Sequence, residues 1–100
     1  MQDYKFQYWL ENVGISKRPI SDALSRCRRI ENSFRIDLDA EYEKDGGQSI
    51  VELLTYTTED AKNNRPAPKG IDFASGANIK NGMASLRSAA KKYFEFCADK

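Results

Sequence analysis

Histidine is absent from this 100-residue chain. The commonest general base and the usual ligand for a transition metal are therefore missing, and no Ser/His or Cys/His nucleophile can be assembled. Cysteine occurs twice, as Cys27 and Cys97, without the close pairing of a zinc knuckle, so a zinc site would need carboxylates for half its ligands. No glycine-rich loop suited to cradling phosphates is present. No apolar run approaches the roughly 20 residues needed to cross a bilayer, and the N-terminus lacks the charged-then-apolar order of an export signal. The expectation is a cytoplasmic chain with both thiols reduced and packed as small hydrophobes. No cofactor, metal or membrane partner is called for, and catalysis is not expected.

A large excess of either charge is missing too. Sixteen Lys and Arg face fifteen Asp and Glu, for a net charge of +1. The two signs are segregated along the chain, however. Between Lys17 and Arg35, the six cations Lys17, Arg18, Arg26, Arg28, Arg29 and Arg35 meet only Asp22 and Glu31. From Asp37 to Asp60 eight carboxylates meet the single cation Lys44, and the last forty residues are basic again. An acidic centre between cationic flanks can put opposite charges on different faces and steer a polyanion to one of them.

One hundred residues make one domain, able to bury a core without staples. Its pattern is helical throughout. Phe6, Trp9, Leu10 and Val13 form one apolar face, Gly14 is suited to the left-handed close of that helix, and Ser16 can cap the next, with Pro19 tolerated in its first turn. Ile20, Ala23, Leu24, Cys27, Ile30 and Phe34 supply the second buried face; Arg18, Asp22, Arg26 and Arg29 share the opposite one. After Ile36, Leu38 and Tyr42, where at most a short helix is expected, Asp45-Gly46-Gly47 reads as a turn. Ser49 through Glu52 has the form of a capping box opening a third long helix. In the last helix Ile79, Met83, Leu86, Ala90, Tyr93, Phe94 and Cys97 form the apolar side, while Lys80, Arg87 and Lys91 line a polar stripe. The spacing predicts an all-α, compact bundle of four to five helices over about 3–13, 17–34, 49–63 and 78–98, with a Pro/Gly loop over 64–77.

Glu41, Glu43, Asp45, Gly46, Ser49 and Glu52 also fall at calcium-loop spacing. Position 1 is Glu where Asp is usual, position 8 is Gln48, and no second loop exists, so the capped-helix reading is preferred.

Cations on one rigid face can neutralise several phosphates at once and release their counterions. The candidate nucleic-acid contacts are Arg18, Arg26 and Arg29 on the second helix and Lys80, Arg87 and Lys91 on the last. Phe6-x-x-Trp9-Leu10, then Val13-Gly14-Ile15-Ser16, then Ile20, Leu24 and Arg28, together with Met83 through Phe96, resemble the core-binding domain of tyrosine recombinases and phage integrases. The resemblance covers about half the chain. It implies a SAM-like helical bundle that holds one side of a DNA duplex while a separate catalytic domain cuts it. The histidines, arginines and nucleophilic tyrosine of that second domain are missing here, so its chemistry is not carried over. The reading is a non-catalytic, double-stranded DNA-binding module that acts with a companion catalytic domain or as a homo-oligomer. The alternative is a helical protein-interaction or oligomerisation domain anchored by Tyr8 or Tyr56.

Overall fold

Phe6 and Leu10, one helical turn apart, are the buried anchors of helix α1, Asp3–Asn12, in a computed structural model that describes residues 1–73 and 77–99. Gly14 takes the expected left-handed conformation at φ 90°, and the Ile15 amide turns back to donate to the Leu10 carbonyl at 3.0 Å. Val13 departs from the expected apolar face and is 51% exposed. The helix has already ended at Asn12, so the helical angle that would carry Val13 inward no longer applies.

Helix α2, Lys17–Phe34, buries Ile20, Leu24, Cys27 and Ile30. Ser16 occupies its N-cap position, but the serine side chain makes no capping hydrogen bond. Pro19, the third helical residue, lacks one of the two amides such a cap can engage. Arg35 closes the helix in the left-handed region at φ 55°, where the Ile36 amide donates to Glu31.

Helix α3, Leu38–Asp45, is capped by the Asp37 carboxylate, which accepts the Asp39 amide at 3.1 Å. Gly46 and Gly47, both left-handed, then turn the chain directly into helix α4, Gln48–Leu53. The long helix expected over 49–63 is divided. α4 stops after six residues and helix α5, Thr58–Lys62, begins separately. Thr55, Tyr56 and Thr57 lie at the break; two are β-branched and favour helix weakly, and Thr57 caps the new helix instead of continuing the old one. The capping box is formed by Thr57 with Asp60, and Ser49 with Glu52 does not form one. Ser49 lies inside α4, where its amide and hydroxyl both donate to the Asp45 carboxylate. Those bonds hold the Asp45 carboxyl below its usual range. Glu41 and Glu43 both belong to α3, and residues two apart on a helix project roughly 200° apart, so the calcium-loop spacing does not become a convergent set of ligands.

Helix α6, Ile79–Ala98, opens on an Asn78 cap and buries Met83, Leu86, Ala89, Ala90, Tyr93, Phe94 and Phe96. It packs against α1, α2, α3, α4 and α5. The result is the compact all-helical bundle that the periodicity implies. Phe6 meets the Tyr93 ring edge-on at 4.9 Å and the Phe96 ring at 5.5 Å, while Tyr42 of α3 stacks on Phe94. Ile71 packs into the core, anchoring the loop before α6; Gly76, expected to lead into that helix, falls outside the described residues. Both cysteines are thiols. The Cys27 thiol lies 3.5 Å from the Ala89 carbonyl, and burial pushes it up to about 12.

A polar knot ties these pieces together. The Met1 ammonium reaches Glu31 at 3.1 Å, Asp37 at 3.2 Å and Asp39 at 3.4 Å. Tyr93 accepts the Gln2 amide and donates to Asp39 at 2.6 Å. Burial opposes the ammonium's charge, but its carboxylate partners outweigh that and push it up to about 10. Burial likewise opposes ionisation of Asp39, yet the Tyr93 and Gln2 hydrogen bonds and the ammonium keep its carboxyl below the usual range.

Two expectations follow for stability. The ammonium's folded value lies above its ordinary 8.0, so its contribution is complete below about pH 8 and is lost as pH rises through about 10. Thermal unfolding followed by circular dichroism should show Tm falling across that window, and acetylation of the α-amine should lower Tm at neutral pH and remove most of the fall. At the α3–α4 turn, a Cβ on Gly46 would meet open space, whereas one on Gly47 would run into the Phe94 ring. Urea titration should show Gly46→Ala costing about 1 kcal/mol and Gly47→Ala about 2–4 kcal/mol.

Candidate nucleic-acid interface

The six cations nominated from sequence do not share one environment. Arg26, on the solvent side of α2, lines a groove of about 550 Å³ between α2 and α6, together with Asp22, Ala23, Ser85, Ala89 and Lys92. Arg87 and Lys91, four residues apart on α6, line an adjoining hollow of about 310 Å³ with Ser88 and Glu95. Ala84, Ser88 and Lys92 belong to both walls. Arg26 thus lines one hollow and Arg87 and Lys91 its neighbour, with the Ala84, Ser88 and Lys92 ridge of α6 between them, although these cations come from segments some sixty residues apart.

Lys80 and Arg18 lie outside both hollows. Lys80 shares the α6 stripe but sits two turns before Arg87, in a hollow with Tyr56, Asn64, Arg65 and Pro66. Arg18 is exposed in the first turn of α2 and lines neither of them. Arg29 has a different occupation. Its guanidinium donates to the Asp72 carbonyl and lies 4.9 Å from the centre of the Phe73 ring. Phe73 in turn fits against Gly82, where any side chain would collide with its ring. Arg29 thus clamps the loop to α2, with its charge spread over a ring face and a carbonyl.

Ion pairs neutralise few of the cations among the described residues, and Lys5, Lys17, Arg35, Lys44, Lys62 and Lys69 have none. Arg28 pairs with Asp3 at 2.7 Å, Arg65 with Asp60 at 3.2 Å and Lys92 with Glu95 at 3.3 Å. Arg18, Arg26, Lys80, Arg87 and Lys91 have no ion pair among the described residues. The Nε of Arg87 is enclosed without an acceptor. None of the eight carboxylates from Asp37 to Asp60 lines the groove or its adjoining hollow. Asp37 and Asp39 are engaged by the Met1 ammonium, and Asp45 and Asp60 by local capping bonds. Sequence reasoning missed Lys92. It falls between the α6 stripe and the side facing α2, and the small residues Ala84, Ser85, Ser88 and Ala89 beside it mark where the two helices approach.

Among the described residues, no group of three or more Cys, Asp or Glu is arranged to hold a metal ion, and no helix is long and apolar enough to cross a membrane. Tyr4 and Tyr8 are 88% and 69% exposed on the outward side of α1. Tyr56, the other aromatic considered as an anchor, is half-buried and its hydroxyl donates to the Arg65 carbonyl. Comparison with protein families, curated proteins and solved structures finds no match for the chain.

Replacing Arg29 by alanine tests the clamp. Unfolding stability should fall by about 1 kcal/mol, with faster amide exchange at Ile71, whose hydrogen bond to the Pro68 carbonyl closes the same loop.

Proposed function

We propose that the chain is a non-catalytic DNA-binding module of the cytoplasm, which grips the phosphate backbone of a duplex with the rims of the α2–α6 groove. One observation carries the reading: Arg26 lines one hollow, Arg87 and Lys91 line the hollow beside it, and none of the three has an ion pair among the described residues. Phosphates supply what these cations lack, and their neutralisation releases condensed counterions. The acidic α3–α4 segment contributes nothing to the walls of either hollow, which favours approach of a polyanion from this side. Lys80 and Arg18 extend the reach along each helix. Arg29, committed to the loop, supports the face without touching a phosphate.

We also propose kinship with the core-binding domain of tyrosine recombinases and integrases. The supporting features are the Gly14-Ile15-Ser16 corner between α1 and α2 and the long α6 ending in Tyr93, Phe94 and Phe96. The module would then act beside a catalytic domain. A second reading is favoured by Tyr4 and Tyr8, which project from α1 into solvent and would suit a protein partner or a second copy of the chain.

The two readings separate in a duplex-binding titration at several salt concentrations. Arg26→Glu with Arg87→Glu is expected to weaken binding by at least about tenfold and to reduce the salt slope by about one for each phosphate no longer neutralised. Lys44→Glu, an exposed α3 position remote from the groove's lining, should change affinity far less. Unaltered affinity in the double variant would remove the DNA reading and favour the tyrosine-anchored partner.

A further inference from the structure

Two lobes of different chemistry lie on either side of the α6 ridge formed by Ala84, Ser88 and Lys92. In the larger lobe, about 550 Å³, Leu10, Ile15, Pro19 and Ala23 form aliphatic walls, with Asp22 and Arg26 among the polar lining groups. In the smaller, about 310 Å³, Arg87, Ser88, Lys91 and Lys92 outweigh the single carboxylate of Glu95, which Lys92 already engages at 3.3 Å. The shared wall of Ala84, Ser88 and Lys92 makes them neighbours. A cationic seat thus adjoins an aliphatic slot of the size that holds small organic groups, roughly 300–1,000 Å³. Stacked duplex contacts phosphates at the rims but keeps its bases inside the helix, so it leaves the slot unused.

Resting on the DNA-binding reading above, we propose that the two neighbouring hollows together receive one unstacked nucleotide of a single-stranded segment, laid across the ridge between them. Its phosphate sits against Arg87, Ser88 and Lys91. Its base enters the slot beside Pro19 and Ala23, held between apolar surfaces as extruded bases are held elsewhere. Asp22 accepts from a base amino or imino N–H, and Arg26 donates to a base carbonyl. The carboxylate inside an otherwise cationic groove then has a purpose: pure phosphate binding gives Asp22 none, whereas base recognition needs an acceptor beside the donor.

Fluorescence anisotropy with a labelled oligothymidine and with a duplex of the same length tests this on the wild-type chain and on Ser85→Leu. Ser85 is half-buried and lines the aliphatic slot but not the cationic hollow, so the added bulk fills the slot and leaves Arg87 and Lys91 open to phosphates. Both probes should bind the wild-type chain, and Ser85→Leu should lower the ratio of single-strand to duplex affinity by about tenfold. A ratio unmoved by Ser85→Leu, with duplex binding intact, overturns the nucleotide site and leaves the DNA-binding reading standing. Absence of binding to either probe at low salt overturns both.

Discussion

The seating of α6 against α2 is the constraint on which the rest of this molecule depends. α6 is surrounded by the other helices and buries seven of its twenty residues. Its outward side carries Lys80, Arg87 and Lys91 among small and polar residues such as Asn81, Ala84 and Ser88. Lys and Arg can lay their aliphatic stems along the apolar edge of such a helix and carry the charge outward. The same packing brings Arg26 alongside, because Cys27, the next residue, is turned inward with its thiol against the Ala89 carbonyl. Core geometry thus sets the position of the charges. A helix allowed to roll on α2 would carry the two sets of cations apart.

The opposite charge is dealt with locally. The first two residues of the chain are drawn into a knot with Glu31 of α2, Asp37 and Asp39 at the start of α3, and Tyr93 of α6. That knot neutralises part of the acidic centre while tying three helices together. Capping bonds at Asp45 and Asp60 use two more carboxylates in ending or starting short helices. These acidic residues therefore build the α3–α5 side of the bundle, and none of them reaches the hollows lined by Arg26, Arg87 and Lys91. Removing a carboxylate from the knot would leave buried partners unsatisfied, a larger penalty than the loss of an exposed ion pair.

Much of this was legible in the sequence wherever a single helical period ran on for several turns. α1, α2 and α6 begin and end within a residue or two of the positions implied by Gly14, Ser16, Asn78 and the apolar spacing. The middle was harder to read because its signals compete. Ser49 and Glu52 satisfy the pattern of a cap, but Asp45 takes the serine first, and Thr57 with Asp60 satisfies the same pattern eight residues later. For the candidate site, helical spacing correctly grouped Arg87 with Lys91 and turned Arg26 outward. It could not show that Arg29 would be claimed by a loop more than forty residues away, since nothing local marks Asp72 and Phe73 as its partners. Lys92 was missed for a related reason: the interhelical groove that gives it a role exists only once α2 and α6 have met.

The central claim is that cations from two distant segments form one polyanion-binding surface. The most direct measurement is residue-by-residue mapping of backbone amide shifts by NMR as duplex DNA is titrated into the labelled chain. The account requires the largest changes to cluster on α2 around Asp22 to Arg26 and on α6 from Ala84 to Lys92, and to fade as salt is raised. Changes centred on the Tyr4 and Tyr8 side of α1, or scattered over the α3–α4 side, would contradict it.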